Sequence, residues 1–130
     1  MKLLLDTHAL LWALGDSDRL PRAVGAMISD RRNELLVSAA TAFELATKYR
    51  IGKLPIAAPV LVAYDTHLQD LGAIELPISS RHALAAGRLD WAHRDPFDRI
   101  LVAQALVESV ALVSRDAVFQ GLTGINLIWD

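Results

Sequence analysis

The stretch Lys2-Leu3-Leu4-Leu5-Asp6 is an apolar run of strand length closed by a carboxylate, and the same pattern returns far along the chain as Ala111-Leu112-Val113-Ser114-Arg115-Asp116. Outward from these two runs, further β-rich segments fall at Glu34–Val37, Ile74–Leu76 and Asn126–Ile128. Between them, helical patterns cover His8–Leu14, Pro21–Arg31, Ala39–Arg50, Pro59–Leu71, Ser80–Arg88, Pro96–Glu108 and a short Ala117–Gln120. Such alternation predicts βα units and a mostly parallel sheet. Pro21, Pro59 and Pro96 suit first helical positions, whereas Gly52 and Gly72 suit C-terminal stops.

In an open parallel sheet, ligands gather beyond the carboxyl ends of the strands, where strand order reverses. Asp6 and Asp116 each directly follow an apolar strand and so lie on that edge. Taken singly, either acid serves equally well as the cap of the next helix; their occurrence after two different strands favours a shared site.

Two further acids join them. In Asp95-Pro96-Phe97-Asp98, Asp95 reads as a helix cap and Pro96 as the first helical residue. Asp98 suits the helix dipole, but the helix that follows, Ile100 to Val107, is apolar nearly all round and therefore buried. An acid in its first turn points to the interior or a cleft, and a buried carboxylate must be paired, protonated or metal-bound. Glu44, in Thr41-Ala42-Phe43-Glu44-Leu45, either joins the acids or pairs with Lys48 four residues on along a solvated face.

Clustered carboxylates with water in the remaining positions suit Mg²⁺ or Mn²⁺, whereas zinc prefers His or Cys. His8 and His93 lie near these acids without metal-ligand spacing and read as surface or hydrogen-bonding residues. Glycine-rich phosphate loops, a serine elbow and cysteines are all absent, which leaves no support for nucleotide binding, serine or thiol nucleophiles, disulfides or thiolate metal sites.

The 130 residues correspond to one ordinary domain, without repeats or a dividing linker. A hydrophobic content of 53% and mean hydropathy of +0.31 predict an apolar surface covered by a partner or a second copy. The proline-punctuated segment Gly52 to Pro59, running into Val60-Leu61-Val62-Ala63-Tyr64, reads as a loop and core helix or as an exposed groove. With a formal charge of −2 and a pI near 6.0, the overall field does not attract nucleic acid, so any such binding is local, through metal and arginines. Asp6 and His8 interrupt the first apolar run too early for a signal peptide, and no stretch approaches the ~20 residues of a membrane span. A cytoplasmic location is the default expectation.

These residues resemble the PIN-domain nucleases, and among them the VapC-type toxins of toxin–antitoxin modules. The resemblance rests on Leu3 to Trp12, on Val37 to Leu45 followed by Ile51-Gly52-Lys53-Leu54, on His93 to Ala105, and on Leu112 to Asp116, in family order across almost the whole chain. It implies a three-layer α/β/α sandwich with a mostly parallel central sheet. Asp6, Glu44, Asp98 and Asp116 would form the acidic site, with Asp6, Asp98 and Asp116 on Mg²⁺ or Mn²⁺. Thr7 and Ser114 would support it, and Asp95 would be a cap or outer residue. It also implies metal-dependent RNA cleavage, a homodimer and a small antitoxin protein that blocks the site. Arg94, Arg99 and Arg115, beside these acids, would contact phosphate or pair with them. Trp12 and Trp91 either stack on bases or pack in the core. The rival readings are a magnesium phosphatase with Asp6 as nucleophile, although His8 stands where that chemistry wants a second acid, a partner-binding module retaining the pocket, and a DNA nuclease.

Overall fold

Leu3, Leu4 and Leu5 are all fully buried, which is possible only for a strand covered on both faces, because successive side chains point to opposite sides. The computed structural model describes residues 1–130 and places this strand, β1 (Lys2–Leu5), at the centre of a five-stranded sheet. The others are β2 (Glu34–Ser38), β3 (Ala73–Leu76), β4 (Ala111–Val113) and β5 (Leu127–Ile128), in the order β3-β2-β1-β4-β5. Every pairing is parallel.

The helices are α1 (Thr7–Gly15), α2 (Arg22–Ser29), α3 (Ala39–Arg50), α4 (Ala58–Val62), α5 (Tyr64–Leu71), α6 (Ser80–Arg88) and α7 (Pro96–Glu108), with 3-10 turns at Ser17–Arg19, Pro55–Ala57 and Ala117–Phe119. On one face Leu3, Leu5, Leu35, Val37, Ala111 and Val113 pack with Leu10, Val24, Ile28 and Leu68 from α1, α2 and α5. On the other, Leu4, Leu36 and Leu112 meet Leu101, Val102 and Ala105 of α7, and Phe119. The result is the three-layer α/β/α arrangement. Five consecutive residues of α7, Leu101 to Ala105, are buried, as its apolar circumference required. His82 ties α6 to α7: its Nδ1 accepts from Ser79 N–H at 3.0 Å and its Nε2 lies 2.8 Å from a Glu108 carboxylate oxygen.

Two local expectations change. Pro21 sits outside α2 as its N-cap, with extended ψ of 145°, so the helix begins at Arg22. The segment expected as one helix from Pro59 to Leu71 is two, broken at Ala63, whose φ of −145° and ψ of 58° leave the helical region. Val60, Leu61, Tyr64, Leu68 and Leu71 all pack on the same cluster across the break. The apolar stripe thus continues in register, and periodicity reports the buried face without reporting backbone continuity. Gly72 ends α5 in the left-handed region at φ 78°, as a C-terminal glycine should.

Candidate active site

The chain runs outward from β1 through β2 to β3, then returns to lay β4 against the other side of β1, so the reversal of strand order lies between β1 and β4. Asp6 leaves β1 at this crevice, its N–H donating to Val113 O at 3.0 Å. Its carboxylate is buried and fully engaged: Oδ1 caps α1 by accepting from Ala9 N–H at 2.8 Å, and Oδ2 accepts the hydroxyl of Ser114. Burial pushes the Asp6 carboxyl above its ordinary range, against the opposing pull of the Ser114 and Ala9 hydrogen bonds and of His8, and the charge of Glu44 adds to the rise. Ser114 Oγ also accepts from Asp116 N–H at 3.0 Å, linking the two acids that end β1 and β4. Asp116 itself is exposed, and its Oδ1 caps the following 3-10 turn through Val118 N–H.

Glu44 comes from the first turns of α3, which starts directly after β2 with Ser38 Oγ capping Ala40 N–H at 3.0 Å. It is only 6% exposed. One oxygen accepts the hydroxyl of Thr7 and the other the ammonium of Lys48 at 2.5 Å. The Glu44–Lys48 pair does form, but with Glu44 buried and Lys48 about one-third exposed, where α3 packs against α7.

The start of α7 supplies the other half. Asp95 Oδ1 accepts from the N–H groups of Phe97 and Asp98 at 2.8 and 3.1 Å, the predicted cap. Asp98 is half-buried, and His93 Nε2–H donates to its Oδ2 at 2.6 Å. Burial raises the Asp98 carboxyl to about 6; His93 opposes the rise, and the charges of Asp95 and Glu44 reinforce it. Donor atoms of His93, Asp95 and Asp98 lie within 4.8 Å of one another. Asp6 and Asp116 stand outside that group, and Glu44, whose charge is felt by both Asp6 and Asp98, lies between the two halves. Phe43 and Phe97, adjacent in sequence to Glu44 and Asp98, meet edge to face at 5.5 Å.

Of the three arginines, Arg99 departs from the expected role beside the acids. Its guanidinium donates to four carbonyls: Nε to Ala86, Nη1 to Trp91 and His93, and Nη2 to Leu89, at 2.7–3.0 Å. The stretch between α6 and α7 forms neither helix nor strand, so its carbonyls need donors from elsewhere. Arg94 is exposed, and Arg115 is exposed with its guanidinium 5.8 Å from the Trp12 ring. Trp12 packs on His8 and Trp129, and Trp91 packs on His93 and Phe119. Lys48 was read from its spacing as a partner for Glu44 and forms that pair, but its place beside the other acids was not marked in the sequence. His93 was read as a surface or hydrogen-bonding residue and forms its bond to Asp98.

A central parallel sheet with Asp6 at its reversal point and a second group of acids at the start of α7 defines an α/β domain of the PIN type. The PIN domain family matches residues 3–124, and the chain belongs to that family. Ribonuclease VapC22 of Mycobacterium tuberculosis is 30% identical over 87% of this chain and 85% of its own length. Ribonuclease VapC16 of the same organism is 40% identical over a shorter match, 48% of this chain and 43% of the relative. The fold is also that of VapBC2 from Rickettsia felis, solved bound to a DNA fragment from its promoter, with a TM-score of 0.70 at 17% identity and complete coverage of both chains. VapBC-1 from nontypeable Haemophilus influenzae gives 0.67 at 17% identity, covering 98% of this chain and 97% of that one.

Proposed function

We propose that residues 1–130 form one domain that acts as a metal-dependent endoribonuclease, the toxin of a toxin–antitoxin pair. The observation that carries this reading is the grouping of His93, Asp95 and Asp98 within 4.8 Å of one another, with the charge of Glu44 raising both the Asp98 carboxyl and that of Asp6 at the end of β1. The two relatives are ribonucleases by name, and VapBC2 and VapBC-1 share the fold.

The donor chemistry fits Mg²⁺ or Mn²⁺: it is dominated by carboxylate oxygens, with one imidazole that manganese tolerates better than magnesium. Asp98 and Asp6 would hold the ion, with Asp116, Asp95 and His93 completing the donor set directly or through water. A bound divalent cation supplies a water of lowered pKa and neutralises charge on the phosphate. Thr7 and Ser114 fix Glu44 and Asp6 by their hydroxyls, so the carboxylates need little reorganisation. Glu44 would ligate the ion directly or through water and would accept the proton of the attacking water. Arg94 and Arg115, exposed beside the site, contact the RNA phosphates that a chain of charge −2 does not attract by its overall field.

A small antitoxin protein and a second copy of the chain are the proposed partners. Tyr49, Ile51, Ile56 and Val62 are exposed around the end of α3 and α4, an apolar surface of the kind such partners cover. No helix is long and apolar enough to cross a membrane, and a cytoplasmic location remains part of the proposal.

The test is to incubate the purified chain and Asp98→Asn with structured and single-stranded RNAs and with DNA competitors, in Mg²⁺, Mn²⁺ or EDTA. Discrete RNA fragments that need metal and vanish in the variant are expected. Metal-independent fragments, or equal cleavage by the variant, would overturn the proposal, and preferential cutting of DNA would redirect it.

A further inference from the structure

Lys48 is an unusual component for a site built to collect acids. Its ammonium lies 2.5 Å from a Glu44 oxygen, with the Lys48 side chain 35% exposed and that of Glu44 8%. Partial burial lowers its hold on the proton, but the Glu44 hydrogen bond and the charges of Glu44, Asp95 and Asp98 outweigh that and hold the ammonium above its ordinary range. Lys48 is thus a cation placed in the joint field of three of the acids. His93 reaches only Asp98, and Arg99 is committed to carbonyls. The remaining Glu44 oxygen is taken by the neutral Thr7 hydroxyl. A lysine suits this position better than an arginine would: it is a compact point charge on a flexible stem and can leave without dismantling a bidentate fork.

We propose that Lys48 is a resident counter-cation of the acidic site, neutralising Glu44 and its neighbours when no metal is bound and ceding the Glu44 oxygen when one binds, so that it sets the affinity of the site for divalent cation. The inference rests on the metal-dependent reading above. Its physical basis is competition: one carboxylate oxygen cannot be fully shared by an ammonium and a divalent ion, and each repels the other across a few ångströms of partly buried space. Lys48 thereby lowers metal affinity and stabilises the metal-free fold.

Titration calorimetry of the full chain with Mn²⁺, paired with melting in EDTA and in saturating Mn²⁺, tests it on Lys48→Met, Lys48→Gln and Lys48→Arg. Removing the charge is expected to tighten Mn²⁺ binding about tenfold, whereas Lys48→Arg, which keeps the charge and can grip Glu44 by a fork, should bind no more tightly than the parent. Lys48→Met and Lys48→Gln should melt below the parent in EDTA and recover in Mn²⁺. A lysine serving only to pack the stem would lower melting equally in both conditions and leave affinity unchanged, and that result would overturn the proposal. Lys48→Gln retains a hydrogen-bond donor and serves if Lys48→Met does not fold; unchanged or weaker binding by a folded neutral variant is equally fatal. If the parent binds no Mn²⁺, the metal-dependent reading itself fails, whereas parent binding with no gain in the neutral variants removes only the role of Lys48.

Discussion

At the β1–β4 corner, Asp6 has both oxygens occupied by groups of the protein, one from the backbone of α1 and one from Ser114 after β4. At the start of α7, Asp98 is bonded through one oxygen only, to His93, and lies half-buried beside Asp95. The first corner is held by the sheet itself, and the second by a helix cap and by Arg99 bridging an irregular segment. The contrast teaches that a site can combine an acid fixed by groups that follow two adjacent strands of the sheet with one whose setting depends on a helix cap and an irregular segment.

The contrast breaks most completely with the acids themselves. Asp6→Asn, which keeps the helix cap but removes the charge, should lower metal-dependent RNA cleavage on the order of 10²–10³-fold, measured as initial rates, with the melting curve retained. Arg99→Met should cost about 2 kcal/mol in urea denaturation, since four partly buried carbonyls lose their donor, and should also weaken Mn²⁺ binding by disordering His93. Ser114→Ala tests the sheet-held corner alone and should cost about 1–2 kcal/mol by the same measurement, through loss of one donor to Asp6 and one acceptor for Asp116 N–H. If Ser114→Ala proved more damaging than Arg99→Met, the assignment of rigid and dependent corners would be reversed.

The smallest effect concerns pH. In the metal-free protein the Asp98 carboxyl titrates near 6 rather than 3.8, chiefly because of burial, so the folded state holds that proton more tightly than the unfolded chain. The associated stability is fully present below about pH 4 and is lost as pH rises through about 6. Asp98→Asn should therefore gain on the parent across that window, with a melting-temperature difference of a few degrees that levels off above pH 7 in EDTA. A difference that stays flat from pH 4 to 7 would show that Asp98 is not strained by its surroundings.

Much of the architecture was legible because local signals agreed. Lys2–Leu5 and Ala111–Val113 are apolar strands in sequence and in the fold, and Asp95-Pro96 announced the start of α7 through its cap and its missing N–H. The acids after β1 and β4 could be placed at one edge because parallel strands share a direction. What the sequence left hidden depends on contacts without a residue signature. Backbone carbonyls look alike at every position, so nothing marked Arg99 as their donor. Lys48 and Glu44 were recognisable as neighbours on α3, but the burial of Glu44 follows from α7 packing alongside, a contact between segments far apart in the chain. The break at Ala63 was invisible for a similar reason, since the residues on either side keep one apolar face.

The Ser114–Asp6 hydrogen bond spans 108 residues, and this has a consequence for the order in which the molecule assembles. Strands β1 and β2 can find one another early in synthesis, but the β1–β4 pairing closes a loop of nearly the whole chain, and such non-local closures come slowly. Until β4 is in place, Asp6 lacks the hydroxyl that orients it and the crevice lacks one wall. An incomplete chain emerging from the ribosome thus carries scattered carboxylates without a pocket, and the acidic centre comes into being only when folding is almost finished.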